Sequence, residues 1–218
     1  MSAWVALGTS ARPPSVAAAS GERVRSAALG SERRHASDLL PRLDELFSEL
    51  ECARRDVAVV AVGLGPGSYT GLRVGVATAL GLAQGTGARL VGVPSVAALA
   101  FAALEPGEEA TVLLDGRSRE LYLARYRRRA DDVEELLAPR VEEAGTLPAA
   151  VPAGERILGD PTVAEAAGMD PEARARLVTD RVPDAEAVLA LARLRHAREG
   201  ATDPGELRPL YLRPFRVR

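Results

Sequence analysis

Residues 63–84 read Gly-Leu-Gly-Pro-Gly-Ser-Tyr-Thr-Gly-Leu-Arg-Val-Gly-Val-Ala-Thr-Ala-Leu-Gly-Leu-Ala-Gln, and the reading of the fold turns on them. Gly65, Pro66, Gly67, Ser68, Tyr69 and Thr70 make a glycine-rich loop that opens a helix predicted over about Thr70–Gln84. After Gly71 its polar side chains are Arg73, Thr78 and Gln84 alone. A surface helix keeps a polar face, so one that is apolar all round has to be covered all round. Leu72, Val76 and Leu80 form a row suited to a sheet beneath. Gly71, Gly75, Ala79 and Ala83 form the next row, small enough at four-residue spacing for another helix backbone to come close. Gly75 and Gly81 each cost about 1 kcal/mol against alanine inside a helix, and close packing is the usual gain.

Two coverings are open for that row. One is the chain's own helix near Ser37–Leu50, whose apolar stripe is Leu39, Leu40, Leu43, Leu46, Phe47 and Leu50. The other, which we favour, is a second subunit met by both helices side by side. The candidate partner surface is then Leu39, Leu43 and Leu46 with Gly71, Leu72, Arg73, Gly75, Val76, Thr78, Ala79, Leu82 and Ala83.

Outward from this segment the chain reads as α/β. Trp4–Thr9, Ser15–Ser20 and Arg23–Leu29 are three strands in a meander, the last two joined at Gly21-Glu22. A helix starting near Ser37 or Asp38 follows, with Pro41 tolerated in its first turn. Val57–Val62 and Leu90–Val93 are apolar throughout, as strands covered on both faces are. Ser95 caps a short helix running to Ala103. The second half repeats the order more weakly: a hairpin of Thr111–Asp115 and Glu120–Arg127, a strand near Glu134–Val141, and a short helix around Thr146–Val151. A strand at Arg156–Gly159, a helix at Thr162–Ala167, a strand at Leu177–Thr179 and a long helix at Asp184–Glu199 complete it. Two meander-plus-crossover halves predict two RNase H-like lobes, each a mixed sheet flanked by helices, in the actin-like (ASKHA) arrangement. The boundary falls near Glu105-Pro106-Gly107, giving lobes 1–104 and 105–218, with the last helix and tail available to pack back on the first.

Composition narrows the function. The formal charge of the 218 residues is −2, so no broad basic field for nucleic acid is implied. All 28 basic residues counted as Lys or Arg are Arg, which removes every mechanism that needs a lysine, a Walker A phosphate loop included. Cys52 is the single cysteine and forms no internal disulfide, so a reducing compartment is the default. Met-Ser-Ala-Trp lacks the start of a signal peptide, and Leu90–Leu104, broken by Pro94, is too short to span a bilayer. The expectation is a cytoplasmic protein with no membrane contact.

Gly65-Pro66-Gly67-Ser68-Tyr69-Thr70-Gly71-Leu72-Arg73-Val74-Gly75, then Ala77–Ala83 and Gly92–Leu99, closely resemble the signature of the TsaB (YeaZ) family. Leu7–Ser10, His35–Pro41, Leu114–Tyr122 and Pro209–Pro214 also fit, so the resemblance touches both halves and is loosest over 128–200. It implies a non-catalytic scaffold and dimerisation subunit in the making of N6-threonylcarbamoyladenosine in tRNA. Such a subunit binds and activates a TsaD-type transferase, with a TsaE-type ATPase on the pair and an enzyme of the TsaC type supplying the adenylate. It further implies that the two helices named above make the contact, that a homodimer can use the same surface, and that tRNA is met only indirectly.

The residues permit little chemistry of their own, and no catalytic residue, metal or cofactor is expected. By resemblance, the catalytic paralogue holds its metal with a His-x-x-x-His pair that aligns with Ser95 and Leu99 here. Actin-like ATPases and many TsaB relatives keep an aspartate on the first strand's turn, where this chain has Gly8. The Gly65–Thr70 loop precedes a helix N-terminus and could cradle an anion, although a loop shaped for packing and docking is the favoured reading. Ser68 and Thr70 fit no Gly-x-Ser-x-Gly elbow and read as helix caps. His35 and His196 are the only histidines and read as surface or packing residues. Arg125, Arg127, Arg128 and Arg129, and Arg213, Arg216 and Arg218, read as solvated charge rather than as tRNA contacts. The alternative function is a stand-alone actin-like ATPase or peptidase-like hydrolase.

Overall fold

The computed structural model of the chain describes residues 2–30, 35–117 and 119–212. In chain order the elements are β1 (Ala3–Gly8), β2 (Ser15–Ser20), β3 (Arg23–Ala28), α1 (His35–Glu49), β4 (Val57–Gly63), α2 (Tyr69–Thr86), β5 (Arg89–Val93) and α3 (Ser95–Ala103). There follow β6 (Glu109–Arg117), β7 (Glu120–Arg128), β8 (Val133–Glu143), β9 (Arg156–Leu158), α4 (Val163–Ala166), α5 (Pro171–Ala175), β10 (Leu177–Val178) and α6 (Ala185–Glu199).

The strands form two five-stranded sheets, ordered β3-β2-β1-β4-β5 and β8-β7-β6-β9-β10. In each sheet the first three strands are an antiparallel meander, and the last two run parallel to the first of them. The same order occurs twice, so each half is RNase H-like and the plan is the actin-like one. Two compact units result: 2–98 with 183–210, and 99–182 with 211–212, counting described residues. The long last helix therefore belongs with the first unit, although a cut at 104 assigns it to the second.

In the first unit the central strands are covered on both faces, which explains their unbroken apolar runs. On one side Val5, Leu7, Val16, Ala18, Val60 and Val62 meet Leu39, Leu43, Leu46, Phe47 and Leu50 of α1 and Val76, Ala79 and Ala83 of α2. On the other side α6 packs on β1, β2, β4 and β5. β2 can be covered twice because its middle is three alanines, Ala17, Ala18 and Ala19, each fully buried.

Helix ends follow local chemistry. Ser68 caps α2 with its Oγ accepting from the Gly71 N–H, and Gly87 closes it in the left-handed region. α1 begins at His35, earlier than the Ser37–Asp38 start expected, so Pro41 lies inside the helix, on an exposed position. Leu40 leaves the apolar stripe and is half exposed.

The second unit's core is Leu113, Leu121, Leu123 and Ile157 under Val163, Ala164, Ala167, Met169 and Ala173. The helix expected around 146–151 is instead a run of turns, held by Val151 N–H on the Pro148 carbonyl at 2.9 Å. Pro148 falls inside the segment and Pro152 just after it, and each disfavours a helical conformation in the residue before it. α5 was not expected; Asp170 caps it, its Oδ1 accepting from the Ala173 N–H at 2.8 Å.

Candidate docking site

The glycine-rich loop is built around two buried serines. The Ser95 N–H donates to the Gly65 carbonyl at 2.8 Å, and the Gly65 N–H donates back to Ser95 Oγ at 3.0 Å. Ser10 Oγ donates to Ser95 Oγ at 2.9 Å, and the Ser68 N–H donates to the Ser10 carbonyl at 3.0 Å. Gly71 N–H is spent on Ser68 Oγ at 3.3 Å, and Leu72 N–H on the Ser68 carbonyl at 2.8 Å. The N–H groups at 65, 68, 71 and 72 are thus engaged within the chain. The loop is thereby packed onto Ser10 and Ser95.

The small row of α2 turns inward. A Cβ on Gly71 would lie 2.0 Å from the Thr9 carbonyl oxygen, and one on Gly75 would lie 2.1 Å from Thr9 Oγ1. The two glycines form a notch into which the β1–β2 turn is pressed. Thr9 is 3% exposed, and its Oγ1 finds no hydrogen-bond partner among the described residues. Leu72, Gly75, Val76, Ala79 and Ala83 are buried by the chain itself, as are Leu39, Leu43 and Leu46 of α1. This corrects the expected surface: neither a second subunit nor α1 fills the notch, because the protein's own first turn does.

The face of α2 that looks outward lies two residues along. Thr70, Arg73, Ala77, Gly81 and Gln84 are exposed, with Gly71, Val74, Thr78 and Leu82 half-buried on its flank. At Gly81 and Gly85 an added Cβ would meet nothing within 4 Å. A face of small side chains flanked by polar ones is therefore open, displaced from the row the spacing singled out. At its start Tyr69 is 38% exposed, and the Arg73 guanidinium lies over its ring, 4.1 Å from the centroid. A cavity of about 530 Å3 continues past its end, lined by Leu80, Ala83, Ala88, Leu90 and Pro204.

Groups that would do chemistry do not converge here. A side chain at Gly8 would meet the backbone of Asp184 and Ala185 at 2.4–2.6 Å, so the start of α6 occupies the volume an aspartate would need. Ala185 N–H is bonded there to Ser15 Oγ at 2.8 Å. Ser95 and Leu99, in the positions aligned with metal ligands, are fully buried. Among the described residues no three His, Cys, Asp or Glu side chains gather at a metal-binding distance. His196 packs edge-on against Trp4, centroids 5.4 Å apart, and the His35 side chain lies outside the described set. Thr70 is exposed at the helix start, and Ser68 serves as the cap. No helix among the described residues is long and apolar enough to cross a membrane.

The basic cluster of β7 is neutralised in place. Arg125 Nη2 meets Glu155 at 2.6 Å, Arg127 pairs with Glu109 and with Glu134 at 3.0 Å, and Arg129 pairs with Glu134. The hydrogen bonds to Glu155 hold the Arg125 guanidinium above its ordinary pKa, whereas burial pulls Arg128 below it. Arg128 stacks on Phe101 at 3.6 Å from the ring centroid. Arg213, Arg216 and Arg218 lie outside the described residues.

Comparison with known proteins points one way. The family model for tRNA N6-adenosine threonylcarbamoyltransferase, TsaD, matches residues 30–158. The tRNA threonylcarbamoyladenosine biosynthesis protein TsaB of Escherichia coli is 31% identical over 117 residues, 50% of this chain and 51% of that protein. The TsaB protein of Haemophilus influenzae is 34% identical over 96 residues, 43% of this chain and 41% of its own length. The alignments thus span about half the length of these curated relatives or less. The crystal structure of YeaZ from Pseudomonas aeruginosa superposes with a TM-score of 0.83 at 28% identity, covering 97% of this chain and 100% of that one. A second P. aeruginosa structure, of a protein with similarity to the peptidase YeaZ, gives 0.84 at 28% identity over 98% of this chain.

Proposed function

Because this chain belongs to the TsaB (YeaZ) family, we propose that it is a non-catalytic scaffold subunit in the making of N6-threonylcarbamoyladenosine in tRNA. In this reading it docks on a TsaD-type transferase and activates it, and a TsaE-type ATPase joins the pair. The observation that carries the docking reading is the uncovered outer face of α2. Ala77 and Gly81 are exposed there, and Gly81 and Gly85 have open space where a side chain would stand. Glycine inside an exposed helix costs about 1 kcal/mol relative to alanine, and the chain's own packing offers no return at Gly81. A partner helix lying close along the outer face supplies that return. Arg73, Thr78 and Leu82 of the expected surface are reachable from that side, whereas Leu39, Leu43, Leu46, Leu72, Gly75, Val76, Ala79 and Ala83 support it from within.

The inactivity of the isolated chain is part of the same proposal. Its support is that α6 fills the space beside Gly8 and that the loop's N–H groups at 65, 68, 71 and 72 are already bonded. The test is co-expression with the organism's own TsaD homologue. Gly81→Leu folds, since nothing stands within 4 Å of its Cβ, but loses co-purification with the transferase. Reconstituted tRNA modification falls to the level seen when this chain is omitted. Undiminished complex formation by folded Gly81→Leu, or modification that persists without the chain, sinks the reading. Light scattering of the chain alone beside Gly81→Leu decides whether a second copy uses the same face: a dimer lost in the variant uses it, and one retained does not.

A further inference from the structure

The ring of hydrogen bonds beneath the glycine-rich loop ties together three parts of the first unit that are distant in sequence. Gly65 is held at both its N–H and its carbonyl by Ser95, at the start of α3. Ser68 is held through its N–H by the carbonyl of Ser10, in the β1–β2 turn. Ser10 and Ser95 are themselves joined, hydroxyl to hydroxyl, at 2.9 Å. Ser95 is fully buried and Ser10 is 5% exposed, so no water replaces a bond lost here. Gly63 makes room for the arrangement, because a Cβ there would lie 2.7 Å from Ser95 Oγ. The loop is therefore clamped at residues 65 and 68, and the next residue, Tyr69, begins α2 with its ring exposed beneath the Arg73 guanidinium.

We propose that Ser95 is a positioning residue for partner docking: its hydroxyl, shared between Gly65 and Ser10, fixes the loop that aims the Tyr69–Arg73 platform and the outer face of α2. The proposal rests on the docking reading above. One hydroxyl accepts two buried donors, so removing it strands both the Gly65 N–H and the Ser10 hydroxyl. The consequence is a loosened loop on an otherwise intact sheet, since Ser95 makes no bond to α6 or to the central strands among those described.

The experiment measures amide hydrogen exchange by NMR together with transferase affinity, in full-length Ser95→Ala, Ser10→Ala and the double variant. In Ser95→Ala, exchange at Gly65 and Ser68 rises about tenfold or more and affinity falls by a similar factor. Exchange at Val188 and Leu189 of α6 stays unchanged, which separates a loosened loop from a destabilised fold. Ser10→Ala, which keeps the Gly65–Ser95 pair, loses less, and the double variant is no worse than Ser95→Ala because both act through one hydroxyl. Unchanged exchange at Gly65 and Ser68, or raised exchange with unchanged affinity, overturns the proposal. Should Ser95→Ala not fold, Ser10→Ala decides alone: unchanged exchange at Ser68 together with unchanged affinity overturns it. Gly81→Leu is run beside them. If it still binds the transferase, the docking reading falls, and the exchange data then judge the clamp by themselves.

Discussion

Thr9 gives the glycines of α2 two different meanings. Its carbonyl presses against Gly71 and its hydroxyl against Gly75, whereas Gly81 faces open space. Gly71→Ala sets a methyl group 2.0 Å from a backbone oxygen that cannot rotate away, so it is expected to cost about 2 kcal/mol or more. Gly81→Ala removes only the flexibility of glycine and gains up to about 1 kcal/mol. Urea denaturation of the two variants checks the sign: a Gly71→Ala chain as stable as the parent means α2 does not sit on the first turn as described. Cys52 offers a second residue-scale test. Burial first, and the Asp56 carboxylate second, hold its thiol above the ordinary cysteine value. The folded thiol therefore keeps its proton at pH values where the unfolded one has lost it. Its contribution to stability is intact below the ordinary thiol range and declines as pH rises through that range and above. Titration of thiolate absorbance should show a higher midpoint in the folded chain than in urea, and equal midpoints contradict the partial burial of this side chain.

At the scale of elements, the ion pairs of β7 divide into a half-buried set and an exposed set. The Glu155 side chain is 10% exposed and takes hydrogen bonds from Arg125 and from Thr111 Oγ1. The Arg129 side chain is 53% exposed in its pair with Glu134. Glu155→Ala strands the buried Thr111 hydroxyl and leaves Arg125 only its longer pair with Glu109, so it is expected to cost about 2 kcal/mol, whereas Arg129→Ala costs less than about 1 kcal/mol. Equal losses in chemical denaturation would mean that Glu155 is as well hydrated as the surface pair. The sequence announced most elements because their periods are strong: the apolar runs of β4 and β5, the stripe of α1 and the glycine-flanked α2 each admit one reading. α5 carried a signal as well, Asp170-Pro171-Glu172, an N-cap followed by proline in the first helical position, but at five residues it had no stripe to draw attention. What the spacing could not reveal was the direction in which the small row faces. A row of glycine and alanine admits close approach by any backbone, and only the fold decides that the backbone is the β1–β2 turn rather than a second helix. The clamp of Ser10 and Ser95 was equally hidden, since its two serines stand 85 residues apart.

For the whole molecule, the first unit is completed by a helix that arrives last in the chain. α6 covers one face of β1, β2, β4 and β5, and it buries Val188, Leu189 and Leu191 to 2% exposure or less. Those three side chains contribute on the order of 5–9 kcal/mol by burial, at about 1.5–3 kcal/mol each, which is comparable with the entire stability of a typical domain. A chain ending at Val182 should therefore leave the first unit without a cooperative fold, although every strand of its sheet is present. Trp4 makes the test direct. It is the single tryptophan, it stands on β1, and its ring meets His196 of α6 at 5.4 Å with Arg193 beyond. Full-length chain should show one sigmoidal change in Trp4 fluorescence with urea. In the truncated chain the emission should start at the unfolded value and drift without a transition. A sigmoidal transition retained after truncation would mean that α1 and α2 alone stabilise the sheet. The open outer face of α2 would then belong to a unit that folds without α6.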